Sequence, residues 1–393
     1  MQRITPSQLL IVIFLTMLLI PASRQTIREA RQGGVPRVFE VFRQRPTPQN
    51  LRAFEKALQD ESVTAGELRP WVQAAQLLLL RDAGEKALVG RDGWLFYQPG
   101  VSFLTQRPSR QDATVAQALS AVNQFRDLLA ARGIRLLLLP VPNKESIYPE
   151  KLSSVARTGA PIIGRDTRQF LSGCQAARIE YIDLFDLFDR GRRLSTVPLY
   201  LVQDSHWSPA GLLLAAAAVA ERVNALSPNA GGEGETTAAS AGFDRRPTPV
   251  QRFGDLVRML RSPPLERRLP AERSLCSKVF HHGTERAYAD MPEADVVVIG
   301  DSFLRIYERD EPGSAGFIAH LAAALGRPVA SIVNDGGAST LVRQDLARRA
   351  HLLNRAKVVV WEFTERDLRL GTEGWQSVTL PPVRRERASI SSL

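Results

Sequence analysis

Residues 295–303 read "DVVVIGDSF". Four consecutive branched apolar residues, Val296 to Ile299, have the character of a strand buried on both faces, as strands of parallel sheets are. The run ends abruptly in Gly300-Asp301-Ser302. In open parallel sheets ligands bind outside the carboxyl ends of the strands. A serine delivered straight from such a strand onto a glycine turn is therefore a candidate site residue.

The same grammar extends in both directions. Strands are expected at "IRLLLLPVP" (134–142), "IEYIDLF" (179–185), "PVASIVND" (328–335) and "AKVVVWEF" (356–363). Between them lie patterns with apolar residues at helical spacing: 113–133, closed by Gly133, then 166–177, "LLLAAAAVAERVNAL" (212–226), 316–326 and 339–355. Regular alternation of buried strands with helices predicts an α/β fold, a largely parallel sheet with helices on both faces. Asp92-Gly93 in "GRDGWLFY" (90–97) is a hairpin turn signal between apolar flanks. Residues 227–242, rich in Gly, Ser and Thr, read as a flexible insertion, and the tail 381–393 as disordered. Residues 243–290, rich in Arg and Pro, show too little periodicity to assign.

The N-terminal part is different. Leu9 to Ile20 is an apolar stretch, and no good small-x-small cleavage pattern follows it, so residues 1–23 are expected to form an uncleaved signal anchor. Residues 24–85 carry helical patterns and are expected to form a stalk or cap, ahead of a catalytic domain over 86–380. Arg24, Arg28, Arg31 and Arg37 follow the apolar run, and the positive-inside rule alone would keep the next domain in the cytoplasm.

With 44% apolar residues the 393-residue chain has material for a sizeable core. Its formal net charge of +10 comes almost entirely from arginine and suits a polyanionic partner. No zinc-finger spacing or aromatic RNA-binding motif accompanies that charge, which argues against nucleic acid. The two cysteines, Cys174 and Cys276, read either as a pair or as isolated buried thiols. No metal-ligand spacing and no Walker-type phosphate loop is present, so neither a metal nor a nucleotide cofactor is expected.

A serine hydroxyl needs a base, usually histidine. Of the five histidines, His320 and His351 fall in helical patterns and His281-His282 in the unassigned stretch. His206 stands in the polar turn "DSHWSPAG" (204–211) just before a helix, with Asp204 two residues upstream. A carboxylate there can fix the imidazole tautomer and stabilise the imidazolium.

Taken together, "VVVIGDSF", "DSHWSPAG", "GRDGWLFY", "VPNKESIYP", "VNDGGAS" and "VVVWEF" resemble, in order and spacing, the SGNH-hydrolase-like domain of the alginate O-acetyltransferase family, the AlgJ/AlgX group, over about residues 86–370. An anchor plus a catalytic domain, with no room for a carbohydrate-binding module after the last strand, is closer to the AlgJ type. The resemblance implies an O-acetyltransferase in which Ser302 is the nucleophile, His206 its base and Asp204 the group that orients His206, in a permuted order with the Asp/His motif ahead of the serine. Gly336 or Gly337 would supply an oxyanion donor beside the Ser302 N–H. The third block, "WEFTERDL" (361–368), lacks the usual asparagine, and Arg366 is the substitute candidate. Lys144 and Tyr148 are candidate substrate contacts or solvent-facing loop residues, and Trp207 either stacks on a sugar or packs beneath its turn. The resemblance further implies a periplasmic location at the inner membrane, an exported polysaccharide as substrate and a membrane-bound O-acyltransferase as acetyl supplier. An esterase with the same triad and a non-catalytic polysaccharide-binding scaffold are the alternatives.

Overall fold

The computed structural model describes all residues except 1–4, 34–35, 43–44, 46, 81–83, 109–112, 157–159, 228–241, 261, 268, 371–373 and 383–393. The expected flexible insertion and the expected disordered tail thus fall almost entirely outside the described residues. The chain divides into two compact units, residues 1–84 with 260–269, and residues 85–259 with 270–393. That the segment 260–269 belongs with the N-terminal unit was not visible in the sequence.

In the first unit, helix α1 (Pro6–Arg31) starts at Thr5, whose side chain and Gln8 cap it reciprocally. It continues well past the apolar run, through Pro21, and has no buried residue. Twenty-six residues at about 1.5 Å each exceed the thickness of a bilayer's hydrocarbon core. Helices α2 (Pro48–Asp60) and α3 (Val63–Ala75) fall within residues 24–85, each capped by a hydroxyl, from Thr47 and Ser62. Arg24 pairs with Glu67 at 2.8 Å, and Gln25 accepts the Val63 N–H at 3.0 Å, which ties α3 to α1.

The second unit opens with the hairpin of β1 (Ala87–Val89) and β2 (Leu95–Tyr97). Asp92 and Gly93 both have positive φ, 54° and 79°, the backbone that a two-residue hairpin turn demands. Then follow α4 (Gln98–Thr105), α5 (Val115–Ala130), β3 (Arg135–Val141), α6 (Arg165–Ala176), β4 (Glu180–Tyr181), α7 (Leu184–Leu194) and α8 (Pro209–Leu226). After the undescribed segment come β5 (Phe243–Arg252), α9 (Asp255–Met259), β6 (Glu272–His281), β7 (Val296–Gly300), α10 (Phe317–Leu325), β8 (Ala330–Val333), α11 (Leu341–Arg348) and β9 (Val358–Thr364).

Five strands form one parallel sheet in the order β4-β3-β9-β7-β8. Every residue of β7 and β9 is buried, as their unbroken apolar runs required. On one face Phe125 of α5 and Phe170 of α6 meet Trp361 and Phe363 of β9 edge-on, and the Arg343 guanidinium of α11 lies 4.9 Å from the Trp361 ring. Helix α8 packs against both α7 and α10, and α7 against β3.

Two expectations change. The strand read at 179–185 lasts only for Glu180–Tyr181, because the Asp183 carboxylate accepts the N–H groups of Phe185 and Asp186 and starts α7. The unassigned stretch contains a long antiparallel ribbon, β5 with β6, paired from Phe243–His281 to Arg252–Glu272. Its two prolines and alternation of small and charged residues hide it from an apolar-periodicity reading. Cys174 and Cys276 are both buried and free, and burial pushes each thiol up to about 12.

Candidate active site

The carboxyl end of β7 builds one half of the site. Asp301 caps a single helical turn, Ser302–Arg305, by accepting the Phe303 N–H at 2.9 Å. Its own N–H donates to Oε2 of Glu362 on the adjacent β9 at 2.8 Å. Glu362 is fully buried, and burial followed by the nearby Asp301 charge pushes its carboxyl well above the usual range. Gly300 is required here, because a Cβ would fall 2.3 Å from the Glu362 carboxyl oxygen. The turn that presents Ser302 is thus clamped from below.

The other half is a tight loop between α7 and α8. Tyr200 and Trp207 bridge antiparallel, and Leu201 N–H donates to the His206 carbonyl at 3.1 Å, which puts Asp204-Ser205-His206 at the tip. Three buried or half-buried side chains from distant segments hold this loop. Lys144 Nζ donates to the carbonyls of Leu95, Val202 and Asp204 at 2.6, 2.7 and 3.1 Å. Glu272 accepts the N–H groups of Val202 and Gln203 at 2.7 and 3.1 Å. Asp255 accepts the Ser205 N–H at 2.7 Å. Gly254 lets α9 come this close, since a Cβ there would lie 1.9 Å from the Gln203 carbonyl.

Ser302, His206 and Asp204 meet as the sequence expected. Ser302 Oγ lies 2.8 Å from His206 Nε2, and His206 Nδ1 lies 2.6 Å from Asp204 Oδ1. Asp204 is completely buried, and its Oδ2 accepts the Asp255 N–H at 3.0 Å and Arg252 Nη2 at 3.3 Å. Burial by itself lowers the His206 pKa, but the Asp204 carboxylate, then Asp255 and Asp301, more than offset this and raise it above the ordinary value. Asp204, His206 and Asp255 also bring three ligand-type atoms within 4.8 Å of one another. The Nδ1–Oδ1 contact is at hydrogen-bond length and the remaining oxygens already accept donors, so the cluster satisfies itself.

The secondary candidates divide. Asn334 N–H donates to the Gly300 carbonyl at 2.9 Å, so the "NDGG" turn begins beside the strand that carries Ser302. Gly337 N–H is taken up by the Asn334 carbonyl at 3.0 Å, whereas Gly336, at φ +71°, leaves its N–H without a partner among the described residues. Arg366 stands half-buried beyond β9, 3.3 Å from Asn143 Oδ1, with its guanidinium 5.3 Å from the Tyr97 ring centroid. Lys144 is not a solvent-facing loop residue, being 2% exposed. Tyr148 is buried, and its hydroxyl accepts the Leu199 N–H at 2.9 Å. Trp207 does not stack on a ligand: it is fully buried, stacked on Phe317 and edge-on to Phe303. Sequence reasoning missed Asp255, Arg252, Glu272 and Glu362. A second Gly-Asp pair, Gly254-Asp255, was the one local signal that pointed to any of them.

Burial, with Glu272 and Asp204 opposing it, brings the Lys144 ammonium down to about 8. A folded-state value below the unfolded one of ~10.4 means that the unfolded chain binds more protons in that window, so this group's contribution to stability rises with pH between them. Lys144→Met should cost about 3 kcal/mol, roughly one for each carbonyl left without a donor. Denaturant midpoints at neutral pH check this.

An open parallel sheet bearing a serine, imidazole and carboxylate in hydrogen-bonded series at its carboxyl edge is an arrangement that several hydrolase and acyltransferase folds share. Residues 87–365 match the family described as "ALGX: SGNH hydrolase-like domain, acetyltransferase AlgX". The chain belongs to this family and is an O-acetyltransferase by class. Two similar proteins are described as "Probable alginate O-acetylase AlgJ". That of Pseudomonas fluorescens is 27% identical over 305 residues, covering 75% of this chain and 71% of the relative. That of Azotobacter vinelandii is 26% identical over 330 residues, covering 80% and 78%. The solved O-acetyltransferase domain of Pseudomonas putida AlgJ superposes with a TM-score of 0.54 at 24% identity, over 72% of this chain and 91% of that one. This last likeness concerns the fold alone.

Proposed function

We propose that the chain transfers acetyl groups to hydroxyls of an exported, acidic polysaccharide of the alginate type, through a covalent acetyl-Ser302. The observation that carries this reading is the unbroken series from Ser302 Oγ to His206 to Asp204, at 2.8 and 2.6 Å. As His206 Nε2 takes the hydroxyl proton, Ser302 Oγ bonds to the acetyl carbonyl carbon of the donor. Collapse of the tetrahedral intermediate breaks the bond to the leaving oxygen, which receives the proton from His206. A sugar hydroxyl then gives its proton to His206 and attacks the carbonyl carbon of acetyl-Ser302; the bond from that carbon to Oγ breaks as His206 returns the proton to Oγ, which frees the serine. General-base help of this kind is worth ~10²–10⁴ in rate.

The N–H groups of Ser302 and Gly336 are our candidates for the oxyanion donors, with Arg366 as a third group at the rim. Gly337 is not, because its N–H is used within its own turn. The net charge of +10 suits a uronate polymer. Helix α1 would hold the catalytic unit at the inner membrane, on the periplasmic side, where a membrane-bound O-acyltransferase supplies acetyl.

Incubation of the purified chain with p-nitrophenyl acetate and an oligouronate tests the reaction. Acetyl mass gained by the oligosaccharide is the expected result, whereas acetate release alone would make the protein an esterase. A phosphatase reporter fused after residue 393 is expected to be active, and an inactive but stable fusion would place the domain in the cytoplasm.

A further inference from the structure

Asp255 touches all three residues of the loop tip. Oδ1 accepts the Ser205 N–H at 2.7 Å, Oδ2 accepts the Ser205 hydroxyl and lies 3.6 Å from His206 Nδ1, and the Asp255 N–H donates to Asp204 Oδ2 at 3.0 Å. Both carboxylate oxygens are placed to accept, Oδ1 from the Ser205 N–H and Oδ2 from the Ser205 hydroxyl. Burial and then the Asp204 charge push this carboxyl above its ordinary value, and His206 and the Ser205 hydrogen bonds oppose them and favour the ionised form. When the Ser302 proton reaches Nε2, the resulting imidazolium has Asp204 against Nδ1 and this second negative charge beside it.

We propose that Asp255 is a positioning residue for the acetyl-transfer reaction: it fixes the Asp204–Ser205–His206 tip and sets the basicity of His206 through its charge. The proposal rests on His206 serving as the base for Ser302. It names a residue outside the expected triad, on a different element, with two separable effects. Loss of the tip's bracing lowers the maximal rate, because the imidazole is then held less firmly toward both partners. Loss of the charge makes the imidazole less basic, which moves the pH at which it becomes available.

The other groups facing His206 are Asp204 on the loop, Asp301, Ser302 and the Phe303 ring from the β7 turn, and Arg252, which acts through Asp204. Lys144 and Glu272 reach the backbone of the same loop. All of these remain in an Asp255 variant, so a displaced pH limb reports Asp255 alone.

The experiment is kcat/KM against pH with p-nitrophenyl acetate for the full chain, Asp255→Asn and Asp255→Glu, with thermal melts of each. The wild-type rate should rise with pH along an acid limb set by His206. In Asp255→Asn the limb should move to lower pH by about half a unit or more, with a plateau roughly tenfold lower. Asp255→Glu keeps the charge and should hold the limb while losing plateau rate. An unmoved limb in the Asn variant, or equal displacement in the Asn and Glu variants, would overturn the proposal. Should Asp255→Asn fail to melt cooperatively, Ser205→Ala serves instead. It keeps the charge, so its limb should stay at or above the wild-type pH, and a fall would overturn the proposal. Failure of the underlying reading looks different: the wild type itself would show no His206-dependent limb.

Discussion

Ser302→Ala should lower acetyl transfer at least ~10⁴-fold and leave the fold intact, because loss of the nucleophile in such a series leaves only binding and oxyanion contributions. The side chain is half-buried and its hydroxyl is engaged by His206 alone among the described residues, so its removal opens no core cavity and leaves the Asp301 cap and the Asp301–Glu362 contact in place. Transfer to an oligouronate and a thermal melt, measured on the same preparation, check both halves. Transfer retained in a well-folded Ser302→Ala protein would exclude Ser302 as the nucleophile and assign the acetyl transfer to another group.

Asp204→Asn should be nearly as severe, with kcat down ~10⁴-fold. Asp204 is an acceptor on every side: His206 Nδ1 and the His206 N–H meet Oδ1, while the Asp255 N–H and Arg252 meet Oδ2. An asparagine amide must turn its NH2 toward one of these donors. Facing Nδ1, it selects the tautomer that cannot accept the Ser302 proton. Facing Asp255, it sets donor against donor in a buried place, at a cost of about 2 kcal/mol. The pH dependence of stability should change as well. Burial alone would raise the Asp204 carboxyl, but the His206 charge, then Arg252, overcome it and hold the group far below the ordinary carboxylate range. A group depressed in this way contributes stability that is fully present above the unfolded value of ~3.9 and is lost as pH falls below it. Acid unfolding below about pH 4 should therefore be shallower in Asp204→Asn than in wild type.

What the sequence revealed follows from the range of the interactions concerned. Strands β3, β7 and β9 were legible because burial on both faces writes itself as an unbroken apolar run. Asp204, His206 and Ser302 were legible because each sits where a strand or loop ends, next to residues of complementary chemistry. The ribbon of β5 and β6 was not, since its register depends on cross-strand pairing between residues such as Pro247 and Ser277 that no local period announces. Lys144 was ambiguous for a related reason. A lysine in a loop reads as exposed, and only the fold brings the carbonyls of Leu95, Val202 and Asp204 around its ammonium. Glu272 and Glu362 act across the fold on the loops that carry Asp204-His206 and Ser302, and their neighbours in sequence say nothing of it; for Asp255 the Gly254-Asp255 pair was the one local signal. The strand expected over 179–185 shows the opposite error, an apolar pattern overruled by one capping aspartate.

The most direct test of the central claim is to trap the covalent species. The chain is incubated with p-nitrophenyl acetate, quenched in acid, digested and analysed by peptide mass. One acetyl group on the peptide containing Ser302, removed on adding oligouronate and absent from His206→Ala, is the result expected. Acetyl transfer that proceeds with no modified Ser302 under rapid quench, or an acetyl group carried by a different residue, would contradict it.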